Sequence, residues 1–228
     1  MTNDLFFRVI FSVLWFIFFL SHNLPWVRYS GSEHKGRQLI DRITRHERQL
    51  HIMALALFAP FWLGGMILYM ALPGSIMFLS ILLPDWFRSI MAVVAALSIP
   101  FTLWGYQTLG KNWVHALDPS EFLQRKRETL VTTGPYHYVR NPIYLGAFTF
   151  IIALALVAAN WLIFFPALIV IALFYMQIGK EEKMLIARFG DEYREYMKRT
   201  PRFIPKVGFR KNASNHPKVN RDEQHPSS

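Results

Sequence analysis

The sequence predicts an all-α integral membrane protein: about five transmembrane helices, a C-terminal helical hairpin, and polar segments gathered on the cytoplasmic face. Three observations lead there. Of 228 residues, 53% are hydrophobic and 16% aromatic, too apolar a balance for an ordinary soluble domain. The apolar residues come in long runs rather than amphipathic stripes, which is what a bilayer requires. The Lys and Arg residues behind the formal charge of +10 cluster between those runs. That distribution marks cytoplasmic loops, so the lipid bilayer is the expected partner and nucleic acid is not. The absence of cysteine excludes disulfides and thiolate metal sites.

The first run, about 5–24, is long enough to span, with Arg8 near enough to one end to snorkel. A cleaved signal peptide would want a basic start and a small-residue cleavage site. This run follows Asp4 and ends in Ser21-His22-Asn23, so a retained helix is expected. Residues 27–51 are basic, and Leu39, Ile40, Ile43 and Leu50 recur at near-helical spacing. They fit either a helix lying along the headgroups or a solvated cytoplasmic linker. His46 and His51 have no convergent carboxylates, and no metal is expected there. A second span covers 52–72 and stops at Pro73-Gly74. The apolar stretch after it is too short to cross, so it extends or lies beside a span. A third span covers 89–109, with Pro100 tolerated as a kink.

Residues 110–139 form the one extended polar segment between spans, the natural place for a water-soluble cofactor. From 143 to 178 the chain is almost wholly apolar. A straight helix of that length would reach ~50 Å, against a hydrocarbon core of ~30 Å. The chain must turn, and Ala159-Asn160-Trp161 is its most polar interruption. The resulting hairpin returns Glu181 to the face that holds Arg140 and Tyr144. An amphipathic pattern then runs to Arg199, 203–205 reads as a stop at the membrane surface, and the polar, basic 206–228 reads as disordered. The expected division is 1–109 for the N-terminal helices, 110–205 for the core and 206–228 for the tail. Loop charge places the N-terminus outside, with the basic segments and the C-terminus in the cytoplasm.

The stretch that organises the chain is 128–146, ETLVTTGPYHYVRNPIYLG. Gly134-Pro135 marks a turn, and Pro142 suits the first turn of a helix, whose exposed N–H groups favour the negative end of a ligand. Downstream come Glu181-Glu182, Leu185, Phe189-Gly190, Tyr193, Tyr196, Arg199 and Pro201, and upstream lies Leu109-Gly110-Lys111-Asn112-Trp113. In order and spacing these blocks resemble the isoprenylcysteine carboxyl methyltransferase family, which also takes in phospholipid methyltransferases. They cover about the C-terminal half of the chain.

The resemblance implies S-adenosylmethionine as cofactor. Methyl transfer from it is an in-line displacement at a cationic sulfonium, served by positioning and electrostatics. The methionine ammonium needs a carboxylate, and Glu181 is the candidate. The methionine carboxylate suits the helix start formed by Asn141, Pro142, Ile143 and Tyr144. The family gives the adenine to the segment matching Glu128, Thr129, Leu130 and Val131, and uses the positions of Tyr136 and Tyr144 around the cofactor. Arg140 matches a family arginine and is assigned to orienting the acceptor or the cofactor carboxylate. Neither glutamate has a basic residue three or four positions away, so pairing along a helix does not account for them.

Two departures from the family pattern matter: the first is compatible with cofactor binding, since the backbone can carry that role, and the second touches the acceptor. Asn141 stands where the isoprenylcysteine enzymes have histidine. Gln177 stands where the eukaryotic enzymes have an arginine that binds the prenylcysteine carboxylate, and glutamine offers one NH₂ group and no charge. The expected acceptor is therefore an apolar or lipid-like molecule, neutral or amine-bearing, with Gln177 lining its place. For a lipid amine a base is required, and His137 or Glu182 could serve. A membrane reductase using NADPH and a non-catalytic membrane scaffold are the other readings. The oligomeric state is left open.

Overall fold

The structure, a computed structural model, describes residues 2–29, 63–110 and 129–204. Expectations for 30–62, for 111–128 (Glu128 among them) and for 205–228 fall outside the described residues. Every element described is helical: α1 (Thr2–Tyr29), α2 (63–71), a 3₁₀ turn (Pro73–Leu79), α3 (Asp85–Leu109), a second 3₁₀ turn (Gly134–His137), α4 (Pro142–Ala158), α5 (Trp161–Phe189) and α6 (Asp191–Arg199). Helices α1, α3 and α5 are long and apolar enough to cross a membrane, and α4 is a shorter apolar helix.

The outward faces are apolar. Phe6, Val9, Val13 and Phe16 of α1, and Val93 and Leu97 of α3, are exposed. In water such a surface would aggregate; in lipid it is the solvated face. Because lipid is as apolar as the core, burial does not drive these helices together, and close packing of small residues must. Ala95, Ser98, Thr102 and Gly105 form a buried stripe along α3. The Ser98 hydroxyl donates to the Ala95 carbonyl at 2.7 Å and Thr102 to that of Ser98 at 2.8 Å, so neither enters the interface unsatisfied. A Cβ at Gly105 would come within 2.8 Å of the Ile143 side chain, and one at Gly146 would run into Thr102 and Phe101. These two glycines set how closely α4 lies on α3. One core joins α1, α2, α3, α4 and α5, from Phe7, Phe11, Met66 and Tyr69 through Ala95 and Ile99 to Phe150, Leu154, Ile163 and Ala167.

The hairpin turns where its polar interruption stands. Ala159 adopts the left-handed conformation at φ 48°, and the Asn160 side chain caps α5 by accepting from Leu162 N–H at 2.9 Å. The stretch after α2 pairs with this turn, since Ile81 N–H donates to the Ala159 carbonyl at 2.7 Å. At the same end, Arg88 donates to the Val157 carbonyl at 3.0 Å, approaches Asp4 at 3.5 Å and lies over Phe7. Asp4, Arg88 and the 159–160 turn thus share one end of the bundle, while Tyr106, Tyr144 and Glu181 lie at the other. The third span starts at Asp85, four residues earlier than the apolar pattern suggested. Helix α5 runs unbroken through Glu181 and Glu182 to Phe189, ~43 Å in all, so its last turns stand beyond the hydrocarbon. Gly190, at φ 55°, then redirects the chain into α6.

Candidate active site

Consecutive residues on a helix point about 100° apart, and Glu181 and Glu182 use that angle to serve two different clusters. Glu182, only 3% exposed, is held by two arginines. Arg140 donates to its Oε1 through Nε at 3.2 Å and Nη2 at 3.1 Å, and Asn141 Nδ2 adds a contact at 3.3 Å. Arg202 donates from Nε at 3.2 Å to Oε1 and from Nη2 to Oε2. The two cations hold the Glu182 carboxyl below its ordinary range, against burial, which works the other way.

The remaining donor of Arg140, Nη1, reaches the Met197 carbonyl at 3.1 Å and the Thr200 carbonyl at 2.6 Å. Those carbonyls end α6, where a helix is short of donors and its dipole is negative. Backbone bonds reinforce the junction: Arg140 N–H donates to Pro201 at 2.9 Å and Asn141 N–H to Arg202 at 3.3 Å. Phe203 packs against Phe148 of α4 and Tyr175 of α5. The segment 200–203 is therefore strapped across α4 and α5, with Glu182 as its buried anchor. Hydrogen bonding to Glu182 pushes the Arg202 guanidinium above its usual range.

Glu181 faces the other way. Its Oε1 accepts from the Tyr144 hydroxyl at 2.5 Å, and Gln177, one turn earlier on α5 and 7% exposed, is its second hydrogen-bond partner. Among the described residues, the charged side chain acting on it is the like-charged Glu182. Among the described residues, no cation pairs with Glu181. Tyr106, Tyr136 and Tyr144 all lie within electrostatic reach of it. Tyr136 is fixed from behind, because the Tyr196 hydroxyl donates to its carbonyl at 2.6 Å. Burial pushes the phenols of Tyr136, Tyr193 and Tyr196 well above their ordinary range, so all three stay protonated donors.

The placement of the expected site residues is uneven. Tyr136, Tyr144, Gln177 and Glu181 come together in one cluster. Arg140, Asn141 and Glu182 come together in the other, and every Arg140 nitrogen there is engaged by protein groups. Of the helix-start amides, Asn141 N–H is committed to Arg202, and Pro142 has none. That leaves Ile143 and Tyr144 for an anion. His137 is exposed, with its ring edge-on to Tyr138. Thr129 is exposed, and Leu130 and Val131 are partly buried in a stretch without regular secondary structure that leads into the Gly134–His137 turn. Arg202 is the residue that sequence reasoning missed. It stands in a polar stretch without helical spacing, and only the backbone pairing of 140–141 with 201–202 brings it to Glu182.

Comparison with known proteins falls on this region. The family described as phospholipid methyltransferase matches residues 87–192. The nickel-cobalt-cadmium resistance protein NccN of Alcaligenes xylosoxydans xylosoxydans is 30% identical over 122 residues, 54% of this chain and 53% of that protein. The protein-S-isoprenylcysteine O-methyltransferase of Schizosaccharomyces pombe is 36% identical over 87 residues, 37% of this chain and 36% of that enzyme. A solved structure of the eukaryotic intramembrane Ras methyltransferase ICMT aligns with 83% of this chain and 61% of its own, at 21% identity and a TM-score of 0.48. The chain thus matches about half or less of the length of these two sequence relatives. In its matched region, which spans both glutamates and the helical hairpin, the chain is similar to the phospholipid methyltransferase family and to the protein-S-isoprenylcysteine O-methyltransferases.

Proposed function

We propose that the protein is a membrane-integral, S-adenosylmethionine-dependent methyltransferase acting on an apolar or lipid-like acceptor. The observation that carries this reading is Glu181: a carboxylate among tyrosines, with no cationic partner among the described residues, one position from a glutamate that has two arginines. A buried charge is costly unless paired, and the ammonium of the methionine moiety supplies the missing partner. Tyr144 and Gln177 hold the carboxylate in place to receive it. The amides of Ile143 and Tyr144 take the methionine carboxylate, and Thr129, Leu130 and Val131 line the adenine side. When bound, the cofactor supplies a methyl group on a cationic sulfonium.

Arg140 and Glu182 act in this scheme as positioning residues. Their mutual pairing fixes α4, α5 and the 200–203 strap, and thereby the direction in which Glu181 points. Glu182 is a poor base, since two guanidiniums stabilise its ionised form. On the acceptor side, Gln177 brings no charge to offset that of a carboxylate, which favours a neutral or amine-bearing molecule reached from the bilayer. Calorimetric titration of the purified protein with S-adenosylmethionine and with NADPH tests the reading. Saturable binding of the first alone is expected. Binding of NADPH alone would replace it with a reductase, and binding of neither would leave a scaffold.

A further inference from the structure

The first helix carries a polar side chain to the same end of the bundle as Glu181. His22 stands on α1 after an apolar run, and ionisable residues of spanning helices mark functional sites more often than packing. Its Nδ1 lies 2.9 Å from the hydroxyl of Tyr106 on α3, and the two rings meet edge-on at 5.6 Å. The imidazole stacks on Phe18 at 5.6 Å, and Phe18 stacks on Phe150 of α4 at 3.9 Å, the planes 8° apart. His22, though exposed, is thus held between Phe18 of its own helix and Tyr106 of α3, and Phe18 is in turn seated on α4. Tyr106 is 5% exposed and lies within electrostatic reach of Glu181.

A phenol has one proton and two lone pairs. Where the proton goes decides which end the hydroxyl shows to its other neighbours. We propose that His22 is a positioning residue of the candidate site: its Nδ1 accepts the Tyr106 proton, so that Tyr106 turns oxygen lone pairs, not a proton, toward the space beside Glu181. An electron-rich wall there favours a cationic ligand over a neutral one of the same shape. The inference rests on the proposed cofactor, whose methyl-bearing sulfur is cationic in S-adenosylmethionine and neutral in S-adenosylhomocysteine. It also gives α1, which lies outside the matched residues 87–192, a part in the site.

A merely structural role for His22 would affect the two ligands alike, which makes their affinity ratio the informative readout. The experiment titrates the full-length protein with each ligand, for the parent, His22→Phe, His22→Asn and Tyr106→Phe. Phenylalanine keeps the stack on Phe18 without the acceptor, whereas asparagine keeps an acceptor near the Nδ1 position. In His22→Phe the preference for the sulfonium should fall roughly three- to tenfold. His22→Asn should recover most of it. Tyr106→Phe should match His22→Phe, and it carries the test by itself if the histidine variants do not fold. An unchanged ratio in both phenylalanine variants, with the parent binding both ligands, overturns the inference and leaves the cofactor reading intact. A parent that binds neither ligand overturns both.

Discussion

Neighbouring glutamates with opposite duties should fail in opposite ways when each is made neutral. Glu182→Gln removes the charge that holds Arg140, 9% exposed at its side chain, and Arg202, 32% exposed. Two guanidiniums then stand at a buried junction with only carbonyls, two phenols and an amide as partners. Breaking a buried pair by removing one partner costs about 3–5 kcal/mol. At about 2–4 °C per kcal/mol for a chain of this size, the melting temperature should fall roughly 6–20 °C. Glu181→Gln strands no cation, and the amide can still accept from Tyr144, so the expected cost is within about 1 kcal/mol. Its effect belongs to the ligand: losing a charge-assisted contact of about 1.5–3 kcal/mol weakens S-adenosylmethionine roughly ten- to a hundredfold. Thermal unfolding in detergent and calorimetric titration, run on both variants, give the four numbers needed. The division of labour is refuted if Glu182→Gln melts like the parent, or if Glu181→Gln binds the cofactor as tightly as the parent does.

Three further outcomes are expected. Since the chain has no cysteine, Leu82→Cys, at a 98% exposed position, and Glu192→Cys should react with a membrane-impermeant maleimide from opposite sides, Glu192→Cys from the cytoplasm; labelling from one side would break the bundle's orientation. Gly146→Val places a side chain against Thr102 and Phe101 and should cost about 1–3 kcal/mol in thermal unfolding, whereas Gly179→Val, where a Cβ meets nothing within 4 Å, should cost less. With a farnesylated cysteine analogue the parent should show little methyl transfer, and Gln177→Arg should gain turnover at saturating cofactor. The same arginine would pair with Glu181, so the cofactor affinity of that variant should drop; efficient turnover by the parent would restore a prenylcysteine carboxylate as acceptor.

The parts of this architecture that the sequence reveals are those set by local physics. The hairpin is legible because an almost wholly apolar run of 36 residues cannot stay straight in a bilayer and Asn160, near its middle, can cap a new helix. The start of α4 is legible because Pro142 fits a first helical turn. What spacing cannot show is which tertiary partner each glutamate meets. Residues 181 and 182 look alike in the sequence, and only the packing of α4, α5 and the strap sends both arginines to one of them. The Asn141 amide offered itself as an anion donor until the Arg202 carbonyl, sixty-one positions away, took it. In the sequence His22 is only part of the boundary of a span, since nothing local announces Tyr106 eighty-four positions on.

The central claim is that methyl groups pass from S-adenosylmethionine to an apolar molecule at the site beside Glu181. It is tested most directly by incubating the purified protein with methyl-labelled S-adenosylmethionine and a lipid extract of its native membrane, then partitioning the products into organic solvent. The account predicts label in the organic phase that depends on the parent protein and falls strongly with Glu181→Gln. Label that stays in the aqueous phase although the cofactor binds, or that enters the organic phase equally with Glu181→Gln, would contradict it.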